Sequence, residues 1–204
     1  MNKDPWIAIP KISGGRENSD GRRGGRKIKR LATLCDDPIG LTCSMNAAQR
    51  WGGAEELISA ASFEDAANAV INGRADAFLV AGAYPKLNAF IMDSKLIATD
   101  VFILKIPSLQ MACQAKDAGE IFENMYHHVA VSPLIEESRV RWQNAINSPS
   151  NSEACRMMIA DARPSACVTN ALCSDHFQLK VLETLRVGIE MPWVCFEKTS
   201  AANI

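Results

Sequence analysis

The stretch from residue 62 to residue 81, SFEDAANAVINGRADAFLVA, decides the fold class of this chain. Ser62 and Asp65 resemble a capping box, and the apolar residues after them recur at helical spacing, so the pattern predicts a helix. Gly73 stands where a helix commonly ends in the left-handed conformation. The run from Ala77 to Ala81 is rich in apolar residues on both faces, which predicts a buried strand. A helix that leads into a buried strand is typical of an α/β protein.

The same alternation continues on both sides of this stretch. Strands are predicted over residues 28–34, 57–60, 101–106, 129–131, 166–168, 179–187 and 193–196. Helices are predicted over residues 44–51, 133–146 and 152–161, with a polar turn over residues 147–151. Alternation of this kind argues for an α/β fold with mixed, largely parallel sheets. It runs in two blocks, before and after about residue 107, which indicates two lobes.

The predicted organisation is a flexible tail at 1–27, a first lobe at 28–106 plus 175–204, and a second lobe at 107–174. Residues 11–30 are rich in Gly, Arg, Ser and Asp, and few side chains there could join a core. A basic cluster could bind nucleic acid or a partner, but a solvated leader is favoured because no aromatic or groove-reading pattern accompanies the charge. The cluster consists of Arg22, Arg23, Arg26, Lys27, Lys29 and Arg30.

The composition is that of a globular protein, with 48% hydrophobic residues, 22% charged residues and a net charge of -1. This charge balance gives no indication of binding to nucleic acid or to a membrane surface. The seven cysteines include no C-x-x-C pair, so we expect reduced, buried thiols rather than disulfides or a zinc site. No signal peptide is evident, and we expect a cytoplasmic protein.

Several common catalytic motifs are missing from the sequence. There is no phosphate-binding loop, no dinucleotide fingerprint, no H-E-x-x-H and no G-x-S-x-G. His127 and His128 are adjacent and point in divergent directions on a helix or strand, so we interpret them as surface or loop residues rather than metal ligands. We therefore expect chemistry without a metal, a nucleotide cofactor or a covalent nucleophile.

Three segments of the chain carry a resemblance to a known family. They are PIGLTCSMNAA at 38–48, LVAGAY at 79–84 with VFILKIP at 101–107, and VTN at 168–170 with MPWVCFEK at 191–198. In order and spacing they resemble the prephenate dehydratase-like superfamily, most closely the non-aromatising prephenate decarboxylases of bacilysin-type and aeruginosin-type biosynthesis. The Thr-Arg-Phe motif of the dehydratases corresponds here to Met191–Trp193, without the Thr or the Arg, which favours the decarboxylase branch. We also expect no regulatory amino-acid-binding domain of the kind usual in those dehydratases.

This resemblance implies a two-lobed, type II periplasmic-binding-protein-like fold with a central cleft. It implies a carbon–carbon lyase that needs no cofactor and converts prephenate to a dihydro-4-hydroxyphenylpyruvate in specialised amino-acid or peptide biosynthesis. The partner of the protein would be its substrate, prephenate, and neither nucleic acid nor a membrane is expected. A homodimer is compatible with the assignment. Two alternatives stay open: a prephenate dehydratase that gives phenylpyruvate, and a non-catalytic protein that binds a small anion on the same fold.

Helix N-termini bind carboxylates, and three turns of the sequence offer such an end near the cleft. Lys105, on the crossover between the lobes, would add a positive charge. Tyr84 would line the ring pocket and orient the hydroxyl. Capping, packing or solvated roles are the alternatives for these residues, and the group that donates a proton to the ring is not identified. The predicted substrate-binding residues are Thr42, Cys43, Ser44, Tyr84, Lys105, Ser132, Thr169 and Asn170.

Overall fold

The computed structural model describes residues 28–36, 39–119 and 121–199. Within these ranges the strands form two sheets of five strands each, one in each lobe. The predicted tail at 1–27 lies outside the described residues, with Arg22, Arg23, Arg26 and Lys27 of the basic cluster. Arg30 of that cluster lies in the first strand, where its guanidinium pairs with Asp76 at 2.9 Å.

The first lobe contains two stretches of chain. Its elements are β1 (Ile28–Leu34), α1 (Cys43–Trp51), β2 (Ala54–Ala60), α2 (Phe63–Ile71), β3 (Ala77–Ala81), α3 (Leu87–Met92), β4 (Leu96–Lys105) and β10 (Glu190–Lys198). The sheet order is β2-β1-β3-β10-β4. Strand β1 is parallel to β2 and β3, whereas β10 is antiparallel to β3 and β4.

The second lobe repeats this arrangement. Its elements are β5 (Leu109–Cys113), β6 (Phe122–His128), α4 (Ser132–Ile135), β7 (Trp142–Ser148), α5 (Asn151–Ala160), β8 (Ser165–Asn170), α6 (Ala171–His176) and β9 (Lys180–Arg186). The order is β7-β6-β8-β5-β9, with β6 parallel to β7 and β8, and β5 antiparallel to β8 and β9. The predicted two-lobed α/β fold with mixed sheets is therefore confirmed.

Two crossing segments, residues 106–108 and 187–189, connect the lobes. The backbone N–H of Ile106 donates to the carbonyl of Ile189 at 2.9 Å, so the crossings lie side by side. The predicted return to the first lobe at residue 175 is too early. Strand β9 pairs with β5 from Lys180 to Arg186 and belongs to the second sheet, so the chain returns only after Arg186.

Local signals explain why most of the predicted helices and strands are present. Ser62 accepts a hydrogen bond from the Asp65 N–H at 3.0 Å and caps α2, as the capping pattern predicts. Ser150 caps α5 in the same way through the Glu153 N–H. Gly73 has a φ of 73°, the left-handed conformation predicted for it.

The predictions for residues 129–146 are wrong. Residues 129–131 form a short 3-10 turn rather than a strand, and the helix predicted over 133–146 is only the four-residue α4 followed by β7. Trp142 and Ile146 are four residues apart, a spacing that also occurs on one face of a strand. Strands β5 and β6 were not predicted; polar residues such as Asn124 and His127 in β6 hide the apolar pattern of a buried strand.

The hydrophobic core continues from one lobe to the other. One cluster joins residues of the first sheet, such as Leu31 and Leu79, with Met111, Met125 and Val168 of the second. All seven cysteines are free thiols, and all except Cys43 are buried, in agreement with the prediction. None of the helices in the described part of the chain has the length and apolarity needed to cross a bilayer.

A buried carboxylate fixes the end of α5 to the second sheet. Asp161 accepts hydrogen bonds from Asn124 at 2.6 Å, Tyr126 at 2.9 Å, Ser165 at 2.8 Å and Arg163 at 3.0 Å. Burial alone would raise the pKa of this carboxyl, but hydrogen bonds, led by those from Arg163 and Asn124, outweigh burial. They hold the pKa well below its ordinary value of 3.8.

Replacing Asp161 with Asn should lower the free energy of unfolding by roughly 2–4 kcal/mol at neutral pH, because an amide group would face several donors. A lowered pKa stabilises the fold above pH 3.8, and this contribution is lost as the pH falls below that value. Urea unfolding should therefore show the gap between wild type and Asp161→Asn narrowing in acid. Arg163→Ala, at a side chain that is more than half exposed, is the control and should have a much smaller effect. An equal loss in both variants would contradict this prediction.

Candidate functional site

A cavity of about 300 Å³ lies between the two lobes. The first lobe contributes the start of α1, the end of β3 and part of β10. The second lobe contributes the start of α5, Arg186 and five residues that follow β6 or end it: His128, Ala130, Val131, Pro133 and Leu134. Its walls are largely apolar, with Leu34, Phe63, Ile106 and Met191 among them. A mostly apolar pocket of this size with a few polar groups is typical of a site for a small organic molecule.

Four of the eight predicted site residues line this cavity. They are Thr42, Cys43 and Ser44 at the start of α1, and Tyr84 after β3. Thr42 accepts a hydrogen bond from the Met45 N–H and donates to the Leu34 carbonyl, which fixes the start of the helix. The first N–H groups of α1 have no partner within the helix, so this end of the cavity favours a negative charge.

The other four predicted residues do not line the cavity. Ser132 donates to the Val129 carbonyl at 2.9 Å, and the buried Thr169 donates to the Asn151 carbonyl at 3.0 Å. Asn170 caps α6 and donates to the Leu41 carbonyl of the first lobe at 2.7 Å. Lys105 is exposed on β4. The hydrogen bonds of the first three serve the fold of the protein, and their predicted contact with a ligand remains a prediction.

Trp193 combines a side chain that lines the cavity with a buried hydrogen-bond donor. Its side chain lines the cavity, is 1% exposed, and has no acceptor for its Nε1–H among the described residues. A buried donor without an acceptor is destabilising by about 1–3 kcal/mol. A ligand oxygen that reached this buried N–H would remove that cost.

The charges on the cavity wall are few. Arg186 carries a positive charge, and none of the described residues that line the cavity is Asp or Glu. His128 also lines the cavity, and its Nδ1 accepts a hydrogen bond from the Ala130 N–H at 3.3 Å. Burial, with the neighbouring His127, lowers the pKa of His128 below its ordinary value of 6.5. The neutral ring therefore carries its proton on Nε2.

Two further titratable groups on the wall keep their protons firmly. Burial raises the pKa of the Cys43 thiol to about 12, and Asn151 and Asn170 direct their amide groups toward its sulfur at 3.7 and 3.6 Å. Burial also raises the pKa of Tyr84 to about 12, and its hydroxyl donates to the Glu64 carboxylate at 2.9 Å. Neither group is an acid, a base or a strong nucleophile near neutral pH.

A carboxylate of the protein itself occupies the N-terminus of α5. Asp36, just after β1, accepts hydrogen bonds from the hydroxyls of Ser150 and Ser152, the latter at 2.6 Å. Arg156 lies 3.6 Å from the same oxygen. Since a helix N-terminus attracts anions, the first lobe fills with its own carboxylate a position that a ligand could otherwise take.

A second compartment of about 340 Å³ adjoins the first. It is lined by residues 61–63 and 84–86 of the first lobe and by residues 128–129 and 147–149 of the second. Both compartments share Leu34, Phe63, Tyr84 and His128. We call the first the inner compartment and the second the outer compartment; His128 lies at their junction.

No protein-family model and no curated protein sequence matches this chain. Solved structures that are similar include a prephenate dehydratase from Arthrobacter aurescens in complex with L-Phe, with a TM-score of 0.59, 14% identity, and coverage of 84% of this chain and 61% of that chain. A prephenate dehydratase from Staphylococcus aureus follows, with a TM-score of 0.54, 9% identity, and coverage of 84% and 68%. The VFT2 domain of Bordetella pertussis BvgS has a TM-score of 0.52, 11% identity, and coverage of 83% and 80%.

The fold is one that prephenate dehydratases have. It is also the fold of periplasmic-binding-protein-like sensor domains, so the likeness by itself does not distinguish an enzyme from a binding protein. The chain spans about three fifths of the length of the Arthrobacter dehydratase. The function of the chain therefore depends on the residues around the cavity.

Sequence reasoning missed several residues of this site. Arg186 ends a strand that the sequence pattern assigns to the first lobe, and the pattern places His128 on the surface or in a loop, whereas both line the cavity. Asn151 lies in a segment whose composition predicts a polar turn, but it begins α5 and lines the cavity. Trp193 had the clearest signal, because it lies in the segment where the Thr and Arg of the dehydratase motif are missing.

Replacing Asp36 with Ala should lower the free energy of unfolding by roughly 2–4 kcal/mol, because two charge-assisted hydrogen bonds between the lobes are lost. Amide hydrogen exchange should also become faster at the start of α5. Glu153→Gln is the matched control. Glu153 also pairs with Arg156, at 2.8 Å, but both residues lie in α5, so this ion pair does not connect the lobes. Unchanged exchange at residues 150–153 in Asp36→Ala would refute the proposed link between the lobes.

Proposed function

We propose that this chain binds prephenate between its lobes and removes carbon dioxide from it while the ring keeps its hydroxyl. The observation that carries the proposal is the scarcity of acids around the inner compartment. Among the described lining residues there is no carboxyl group, and the thiol of Cys43 and the phenol of Tyr84 both have a pKa of about 12. The seven free thiols support the proposed cytoplasmic location.

The chemistry of prephenate explains why this scarcity matters. The molecule has two carboxylates, a hydroxyl and a non-aromatic ring that loses carbon dioxide readily. If the hydroxyl leaves at the same time, the ring becomes aromatic and phenylpyruvate forms. An acid beside the hydroxyl assists that departure. A cavity that withholds an acid instead favours loss of carbon dioxide alone.

The binding groups of the cavity also suit this substrate. Apolar side chains such as Leu34, Phe63 and Met191 would surround the ring. The first turn of α1 and the Nε1–H of Trp193 would bind one carboxylate, and Arg186 would bind the other. Because the Asp36 carboxylate already occupies the N-terminus of α5, we assign no ligand carboxylate to that helix.

Incubation of the purified protein with prephenate near neutral pH, beside an enzyme-free control, tests the proposal directly. Mass spectrometry should detect a product that is lighter by carbon dioxide alone. Loss of carbon dioxide and water together would identify a dehydratase. Tight stoichiometric binding without turnover would identify a small-anion-binding protein, and neither binding nor turnover would exclude prephenate.

Replacing Trp193 with Phe should lower kcat/KM roughly 10- to 100-fold, because an aromatic ring remains while a hydrogen bond to a charged group is lost. The matched control is Trp51→Phe, since Trp51 stacks on Phe102 at 4.8 Å in the same lobe but does not line the cavity. That control should retain the wild-type kcat/KM. Equal losses in both variants would count against a binding role for the Nε1–H.

A further inference from the structure

We propose that His128 determines which product forms, by holding the ring hydroxyl of the substrate as a neutral hydrogen-bond donor. This inference rests on the proposed function and gives a role at the ring hydroxyl to a histidine that the sequence pattern places on the surface or in a loop. A neutral imidazole can bind a hydroxyl oxygen without protonating it, whereas an imidazolium is an acid. The protonation state of one side chain would therefore separate decarboxylation from aromatisation.

Elimination among the wall residues points to His128. The described titratable groups on the inner compartment are Cys43, Tyr84, Arg186 and His128. Cys43 and Tyr84 keep their protons at neutral pH, and a guanidinium stays cationic. His128 is thus the group on this described wall whose charge can change between about pH 5 and 8.

The geometry of His128 supports a donor role. It ends β6, which lies between β7 and β8 in the second sheet. The hydrogen bond from the Ala130 N–H occupies Nδ1, so the neutral ring presents Nε2–H as its donor. His128 lines both compartments, and so it borders the inner compartment where the substrate ring would lie.

The ends of the substrate match the two lobes. The first turn of α1 and Trp193 belong to the first lobe and would bind the ring carboxylate. In prephenate the hydroxyl lies at the opposite end of the ring from that carboxylate. A ring bound in this direction points its hydroxyl at the second lobe, where His128 lines the wall.

The surroundings of His128 keep its ring neutral. Burial lowers its pKa, His127 beside it lowers the pKa further, and Asp36 acts in the opposite direction. Tyr84 and Lys86 line the outer compartment together with His128, and both donate hydrogen bonds to the Glu64 carboxylate. The sum of these effects leaves the pKa below 6.5, so the neutral ring predominates at neutral pH.

Both reactions balance without a further reactant. In the neutral state the bond from the ring to its carboxylate breaks, carbon dioxide leaves, and the electron pair enters the ring. A proton from water then completes a new C–H bond, and the hydroxyl stays. In the imidazolium state the Nε2 proton passes to the hydroxyl, which leaves as water as the same electron pair makes the ring aromatic. The neutral imidazole regains its proton from solvent.

The ratio of phenylpyruvate to the decarboxylated product, measured between about pH 8 and pH 5 after subtraction of the enzyme-free reaction, tests the inference. In wild type the ratio should rise about tenfold per pH unit until the pH falls below the pKa of His128. His128→Gln keeps a neutral amide donor and should make the ratio independent of pH. His127→Gln is the matched control: it should keep the pH dependence, with its midpoint at higher pH because the effect of His127 that lowers the pKa of His128 is removed.

The outcomes separate this inference from the proposed function. If wild type yields no decarboxylated product at about pH 8, the proposed function fails. If wild type yields it but His128→Gln follows the same pH dependence, the role of His128 is overturned. Nitrogen-15 NMR of His128 gives an answer without turnover: added prephenate should shift its Nε2 signal, and an unchanged signal would overturn the inference.

Discussion

The placement of the two lobes depends on polar contacts between the segment after β1 and the first turns of α5 and α6. The Asp36 carboxylate accepts hydrogen bonds from the hydroxyls of Ser150, which caps α5, and of Ser152 in its first turn. The Leu41 carbonyl accepts a hydrogen bond from the side-chain amide of Asn170. These contacts bring the start of α1 against the second lobe, and Cys43 meets Asn151 there. The cavity exists because this edge of the cleft is closed by the protein's own polar groups.

Closure by internal groups also decides which parts of the cavity can serve a ligand. The carboxylate of Asp36 occupies the N-terminus of α5, and Thr169 and Asn170 donate hydrogen bonds to backbone carbonyls. Few polar groups therefore remain for a ligand. They include the first turn of α1, the Asn151 side chain, the indole of Trp193 and the imidazole of His128, together with the charge of Arg186. An apolar wall with so few polar groups selects a ligand by where its oxygens lie.

The parts of the fold that sequence could predict are those with local signals. Helix α2 has a cap, an apolar stripe and a glycine at its end, so its pattern depends on no distant partner. Strand β6 contains Asn124, whose amide bonds to Asp161 from 37 positions away, and no local pattern reveals such a partner. The site divides in the same way: Thr42 to Ser44 lie in one recognisable turn, whereas Arg186 and His128 reach the cavity only through the pairing of distant strands.

The position of β10 has a consequence for the order in which the protein can fold. It is the last described strand in the chain, yet it lies between β3 and β4 in the first sheet. All strands of the second sheet lie between residues 109 and 186, so that lobe can be complete while the first sheet still has a gap. During synthesis the edges of β3 and β4 stay unpaired until residues 190–198 have emerged. Because Trp193 lies on this strand, the cavity is among the last features of the molecule to form.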